Sequence, residues 1–121
     1  MKKSPIDVYG IPNCSSVKKI RVWLDSQGQG YAFHDFKKEG VDPAALDHWL
    51  THVGWETLLN RKGTTWRQLD PSVQAQVRDN ASARALMLTH PSVIKRPVLV
   101  AGSARSVTVG VNEDAWSRVI S

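Results

Sequence analysis

Apolar residues along this chain switch between a period of two and a period near 3.6, and the switches outline its elements. Ile6 to Tyr9 alternates apolar and polar residues, as a short half-buried strand does. From Cys14 onward, Val17, Ile20 and Leu24 recur at i, i+3 and i+7 and mark one helix face, which Gly28 and Gly30 bring to a stop. Tyr31 to Phe36 alternates again and predicts a second strand. Strand, helix and strand within about 30 residues make a βαβ unit, with parallel strands and a right-handed crossover.

The middle of the chain reads as helical. Asp42-Pro43 pairs an N-cap with proline at the first helical position, and Leu46, Trp49, Leu50 and Val53 follow as an apolar face that ends at Gly54. Trp55 to Asn60 predicts a short helical piece, and Lys62 to Leu69 reads as turn-like. Asp70-Pro71 repeats the cap-and-proline signal before a helix through Val73 and Val77, and Ser82 to Thr89 predicts another, stopped before Pro91. Residues 42–90 are therefore expected to be a helical insertion with no linker at either end. Strand signal returns at Arg96 to Val100, a turn follows at Ala101-Gly102-Ser103, and Ser106 to Val109 completes a predicted hairpin. Asn112 is placed to cap a last helix carrying Ala115, Trp116, Val119 and Ile120. The order βαβ, helices, ββα predicts one α/β domain over residues 1–121 with a mixed four-stranded sheet and the insertion between strands two and three.

Composition narrows the function classes without choosing one. A chain of 121 residues with 41% hydrophobic and 22% charged residues is ordinary for a globular domain. No apolar run approaches the roughly 20 residues that span a bilayer, and Met1 to Pro5 is positive but carries no apolar stretch of secretory-signal length. A single cysteine forms no internal disulfide, so a cytoplasmic location is expected. The net charge of +5 is scattered in short pairs such as Lys37-Lys38 and Lys95-Arg96, and no basic stripe or aromatic ladder for nucleic acid emerges. Small anionic substrates suit such a surface better, and a monomer without nucleic-acid or membrane partners is expected.

Cys14 carries the sharpest chemical signal. It sits between the first strand and the first helix, behind the loop Gly10-Ile11-Pro12-Asn13. A thiol at a helix start meets unpaired backbone N–H groups and the positive end of the helix dipole, and both favour the nucleophilic thiolate. Lys18 and Lys19, one turn on, add positive charge, while Asn13, Ser15 and Ser16 surround the sulfur with polar groups. A buried core cysteine is the competing reading. His48 and His52 stand i, i+4, but no second cysteine or placed carboxylate completes a metal set, so no metal site is assigned. Trp49, Trp55 and Trp66 cluster in the insertion and read as core.

Three blocks, Tyr9-Gly10-Ile11-Pro12-Asn13-Cys14, Leu58 to Arg67 and Ile94-Lys95-Arg96-Pro97, resemble the arsenate reductase (ArsC)/Spx family in its YffB-type branch, and the resemblance spans essentially the whole chain. It implies a thioredoxin-like fold, with Cys14 as nucleophile, Arg96 as an anion clamp and a cis peptide before Pro97. Arg61 is the simplest match to a second clamp, with Lys62 the alternative. Without the resemblance, Arg96 reads rather as a surface partner of Asp35 or Glu113.

The chain departs from the arsenate reductase pattern at three places. Gly10 stands where those enzymes carry histidine, Val17 where they carry serine, and Gly110-Val111 where a third arginine is expected. Val17 also removes the second cysteine of the Cys-x-x-Cys pair common among Spx regulators. The resemblance therefore implies a thiol oxidoreductase with a single nucleophilic cysteine and arsenate in doubt as substrate. No bound cofactor is expected; glutathione is the implied co-substrate, its carboxylates meeting Asn13, Lys18, Arg61 and Arg96, and glutaredoxin is a candidate partner. The alternative is a non-catalytic Spx-like adaptor that binds RNA polymerase.

Overall fold

The computed structural model describes residues 6–120; the polar segment Met1 to Pro5 lies outside the described residues. Alternation at the start of the chain becomes strand β1 (Asp7–Gly10), in which Val8 is fully buried and Asp7 and Tyr9 point to the opposite face. Cys14 is the N-cap of helix α1 (Ser15–Ser26), whose buried stripe is the predicted Val17, Ile20 and Leu24. Strand β2 (Ala32–Asp35) pairs parallel with β1, with Val8 opposite Phe33 and Tyr9 opposite His34. It ends one residue before the predicted Phe36. The Asp35 carboxylate accepts from Lys37 N–H at 2.8 Å, and Glu39 accepts from Asp35 N–H at 3.1 Å. This reciprocal cap starts the short helix α2 (Phe36–Glu39) and turns Phe36 into a buried anchor.

The chain forms two compact units, one from the segment up to Glu39 together with Arg96 onward, the other from Gly40–Lys95. The second unit is helical, as expected. Asp42 caps α3 (Pro43–Val53) by accepting from Ala44 N–H at 3.3 Å, and Leu46, Trp49 and Leu50 are its buried residues. Next come α4 (Trp55–Leu58) and α5 (Thr64–Gln68), the latter lying inside the segment read as turn-like. At five residues it is too short to show a period, and local bonds define it: Arg67 N–H to Gly63 O at 3.2 Å and Gln74 Nε2 to Trp66 O at 2.7 Å. Asp70 caps α6 (Pro71–Gln76) through Ser72 N–H. Helix α7 (Asn80–Thr89) opens on a capping box in which Asp79 and Ser82 each satisfy the other's backbone N–H. A 3-10 turn at Pro91–Val93 follows, and bonds of 2.8 Å from Asn60 N–H to Val93 O and from Lys95 N–H to Leu58 O close the unit.

Returning to the first unit, β3 (Val98–Ala101) runs antiparallel to β1, and β4 (Ser106–Val109) antiparallel to β3. The sheet order β2-β1-β3-β4 is the thioredoxin-like arrangement the resemblance implied. Asn112 caps the last helix, α8 (Glu113–Ile120), through Ala115 N–H at 3.1 Å. One face of the sheet holds Ile6, Val8, Leu99 and Ala101 against Ile20, Leu24 and Trp116, and Trp23 packs on Trp116 with ring centroids 5.4 Å apart. Each fully buried aliphatic side chain here stabilises by about 1.5–3 kcal/mol. That packing fixes the start of α1 at the end of β1. On the opposite face Asp7 accepts from His34 Nε2 at 2.9 Å and pairs with Arg105, and His34 stacks on Tyr9 at 4.4 Å. Among the described residues no helix is long and apolar enough to cross a membrane.

Candidate active site around Cys14

The loop after β1 folds back through a bond of 3.2 Å from Cys14 N–H to Ile11 O and delivers the cysteine to the first turn of α1. Cys14 adopts the extended backbone of an N-cap, with φ −91° and ψ 127°. Its sulfur stands where serine or aspartate oxygen would serve the orphan N–H groups. No cap bond of ordinary geometry forms, yet those groups act on the sulfur electrostatically. Partial burial pushes the Cys14 thiol up. The N–H of Val17, the Arg96 guanidinium and the N–H of Ser16 outweigh it and hold the thiol below its ordinary value. The arrangement leaves a partly buried thiol more easily ionised than a free one, unlike an inert core thiol.

Arg96 reaches the sulfur through its side chain. It stands two residues before β3, and the Arg96–Pro97 peptide is cis, with Pro97 buried. Pro97 O accepts from Gly110 N–H at 2.9 Å, which extends the hairpin ladder beneath the arginine. Sequence reasoning found Cys14, Arg96 and Pro97, and the structure brings all three into one unit. Asn13 is exposed in the turn just before the helix. Lys18 is also exposed, is not among the groups that shift the thiol, and lines a groove along α1. Arg61 and Lys62 belong to the helical unit, both exposed, with the Arg61 guanidinium 5.4 Å above the Trp55 ring. His52 donates from Nδ1 to His48 O at 3.1 Å, so this pair is occupied with its own helix.

Two departures from the arsenate reductase pattern prove to be one feature. A Cβ placed on Gly10 would lie 2.6 Å from Cγ2 of Val17, a fully buried residue. The valine methyl occupies the space where a side chain at position 10 would begin. Hydrocarbon therefore fills the contact between positions 10 and 17, where the resemblance places a histidine and a serine. Gly110 has φ +83° and is buried, so it serves a left-handed turn at the end of β4 that an arginine would strain. Sequence reasoning noted these substitutions without their coupling, because Gly10 and Val17 meet only once α1 folds back on β1. The signal available was their common position, one on each side of Cys14.

Residues 9–119 match the model of the ArsC family. The chain belongs to the ArsC family. Among solved structures, the YffB protein is 44% identical with a TM-score of 0.88, covering 96% of this chain and 99% of its own. An arsenate reductase (ArsC) related protein from Brucella melitensis is 47% identical with a TM-score of 0.70, covering 94% and 92%. A curated relative, the global transcriptional regulator Spx 1 of Lactococcus lactis, is 26% identical over 90% of this chain and 84% of its own length. This ArsC-family chain places Cys14 at the start of α1 and Arg96 before a cis proline in the same unit. Beside them it has hydrocarbon where a polar pair would stand.

Proposed function

We propose that this ArsC-family protein is a thiol oxidoreductase that works through Cys14 alone and exchanges disulfides with glutathione. The observation that carries the reading is the convergence of two backbone N–H groups and the Arg96 guanidinium on one half-buried sulfur. The Cys14 thiolate attacks one sulfur of a disulfide in line, forms a mixed disulfide, and releases the other sulfur as a thiolate. A second thiol then attacks the mixed disulfide and expels Cys14, again as thiolate. With no other cysteine in the chain, that second thiol comes from another molecule. Glutathione supplies the thiol and carries carboxylates that suit Arg96, with Asn13 and Lys18 as further contacts.

Arsenate is a poor substrate on this reading. Its displacement needs donors aimed at oxyanion oxygens, and loss of a single such donor lowers a rate by about 10²–10³. The Gly10–Val17 contact and the turn at Gly110 remove polar groups at those places. Intact-mass measurement after incubation with glutathione disulfide tests the proposal. The expected product gains one glutathionyl group on wild type and nothing on Cys14→Ser, and free glutathione reverses it. Failure to form the adduct at pH values above the thiol's titration would refute the reading. It would favour an adaptor role, which does not need the sulfur.

A further inference from the structure

A groove of about 440 Å³ runs between α1 and α8 on the sheet-bearing unit. That volume lies within the range of binding sites for a side chain or small ligand. Trp116 and Trp23 form its floor, and Val22 and Val111 stand on its rim. These two valines, 68% and 46% exposed, are the large hydrophobic residues left exposed among the described residues. Both therefore border the same groove. Lys18, Lys19 and Glu113 also line it, so cations outnumber the single carboxylate, and neither ammonium is engaged in an ion pair among the described residues.

Cys14 does not line the groove itself but caps the N-terminal end of the helix that does. Lys18, Val22 and Ser26 line the groove at spacings of four along α1, and Cys14 is the next member of that row toward the N-terminus. Residues i and i+4 form one ridge of a helix. A molecule lying along this ridge touches the sulfur at one end and the apolar groove at the other, about 12 Å apart from Cys14 to Val22 at 1.5 Å per residue.

We propose that this groove docks the protein partner that exchanges its thiol with Cys14. The occupant is a polypeptide segment with one bulky apolar side chain for the Val22–Val111–Trp23 surface and carboxylates beside it for Lys18 and Lys19. This rests on the redox reading of Cys14 given above. The covalent step stays a balanced exchange, in which Cys14 sulfur bonds to the partner's cysteine sulfur and the partner's former disulfide mate leaves as thiolate. Free glutathione has no apolar side chain to set against Val22 and Val111.

The test uses the full chain and three synthetic peptides. Each carries a cysteine activated as the mixed disulfide with thionitrobenzoate, then four glycines, which extend about 13 Å at 3.3 Å each. The tripeptide that follows is glutamate–phenylalanine–glutamate, lysine–phenylalanine–lysine or glutamate–glycine–glutamate. Absorbance of released thionitrobenzoate reads the rate at subsaturating peptide. The first peptide is expected to react at least about tenfold faster than the other two, through effective concentration. Val22→Asp should remove that advantage and leave the rate with glutathione disulfide unchanged, and Lys19→Glu should reduce it. Equal rates for the three peptides, or an advantage that survives Val22→Asp, would overturn the proposal. A dimer in sedimentation velocity that Val22→Asp dissociates would overturn it too, by assigning the groove to a second copy. If Cys14 proves inert to every disulfide, the redox reading fails separately. The first peptide with serine for cysteine then decides the groove by its effect on the amide resonances of Val22 and Val111, shifts supporting docking and their absence overturning it.

Discussion

Adding one methyl group at Gly10 probes the packing beneath the candidate nucleophile. The new Cβ of Gly10→Ala would stand 2.6 Å from Val17 Cγ2, about 1 Å inside the ordinary carbon contact of roughly 3.5–4.0 Å. Val17 is fully buried, and in a helix its β-branched side chain keeps one rotamer, so rotation offers no escape. Overpacking of this kind costs about 1–3 kcal/mol, offset by about 0.4–1 kcal/mol from the stiffer unfolded chain. Val17→Ala alone removes two buried carbons, about 1.6 kcal/mol at 0.8 kcal/mol each, plus a cavity contribution. In the double variant the alanine methyl enters that cavity. Gly10→Ala should therefore destabilise wild type and stabilise Val17→Ala, a change of sign that a urea-unfolding cycle of four proteins reads directly. Because Val17→Ala keeps the backbone N–H, the Cys14 titration should stay within a few tenths of a unit in every variant. Additive effects, or a neutral Gly10→Ala, would refute the claim that the valine methyl fills the position-10 space.

Arg96→Ala should raise the Cys14 pKa and slow its reaction with glutathione disulfide together, since one positive charge causes both; alkylation rate against pH and stopped-flow kinetics check this. Arg96→Lys should keep most of the pKa and lose part of the rate, because the planar fork is gone. Partial burial pushes the Asp7 carboxyl up, but bonds from His34 and Arg105 and their charges hold it below the usual carboxylate range. The folded state then binds fewer protons than the unfolded one, so this contribution to stability is present above the unfolded value of about 3.9 and lost as pH falls through the folded one. Asp7→Asn should flatten the acid-side decline in unfolding midpoint, and an unchanged acid profile would show that the Asp7–His34–Arg105 cluster is not linked to folding.

The strands, the α1 face and the cap-and-proline helix starts were legible because each rests on a local signal. Val8 alternates, Val17, Ile20 and Leu24 repeat, and Asp42 and Asp70 precede prolines. Helices α2 and α5 were not, since four and five residues are too few to show a period, and what starts them is a side chain–backbone bond at Asp35 or a glycine cap at Gly63. The capping box of α7 uses Ser82 where glutamate is the usual sign, and its start was read late for that reason. Cys14 was legible as a helix-start thiol. Its partners Val17 N–H and Ser16 N–H were legible only in kind, and Arg96 is 82 positions away in sequence, reached through family resemblance and not through spacing.

A single cysteine has to act twice in each exchange, and that sets how far its pKa should fall. As nucleophile, its intrinsic reactivity drops as the thiolate is stabilised, with a Brønsted slope of about 0.4–0.5. As leaving group in the second step, it gains from the same stabilisation. Groups fixed on the Cys14 sulfur oppose the first step as charge moves to the incoming disulfide and assist the second as charge returns. The site combines opposing pulls: partial burial raises the thiol while Val17 N–H, Arg96 and Ser16 N–H lower it. The balance leaves the thiol below its ordinary value, which raises the thiolate fraction at any given pH. The hydrocarbon of Val17 adds no further polar stabilisation to the sulfur. On the proposed function, both the donors present and the polar pair absent suit sulfur-to-sulfur transfer, in which charge spreads over sulfur atoms and not over the oxygens of an anion.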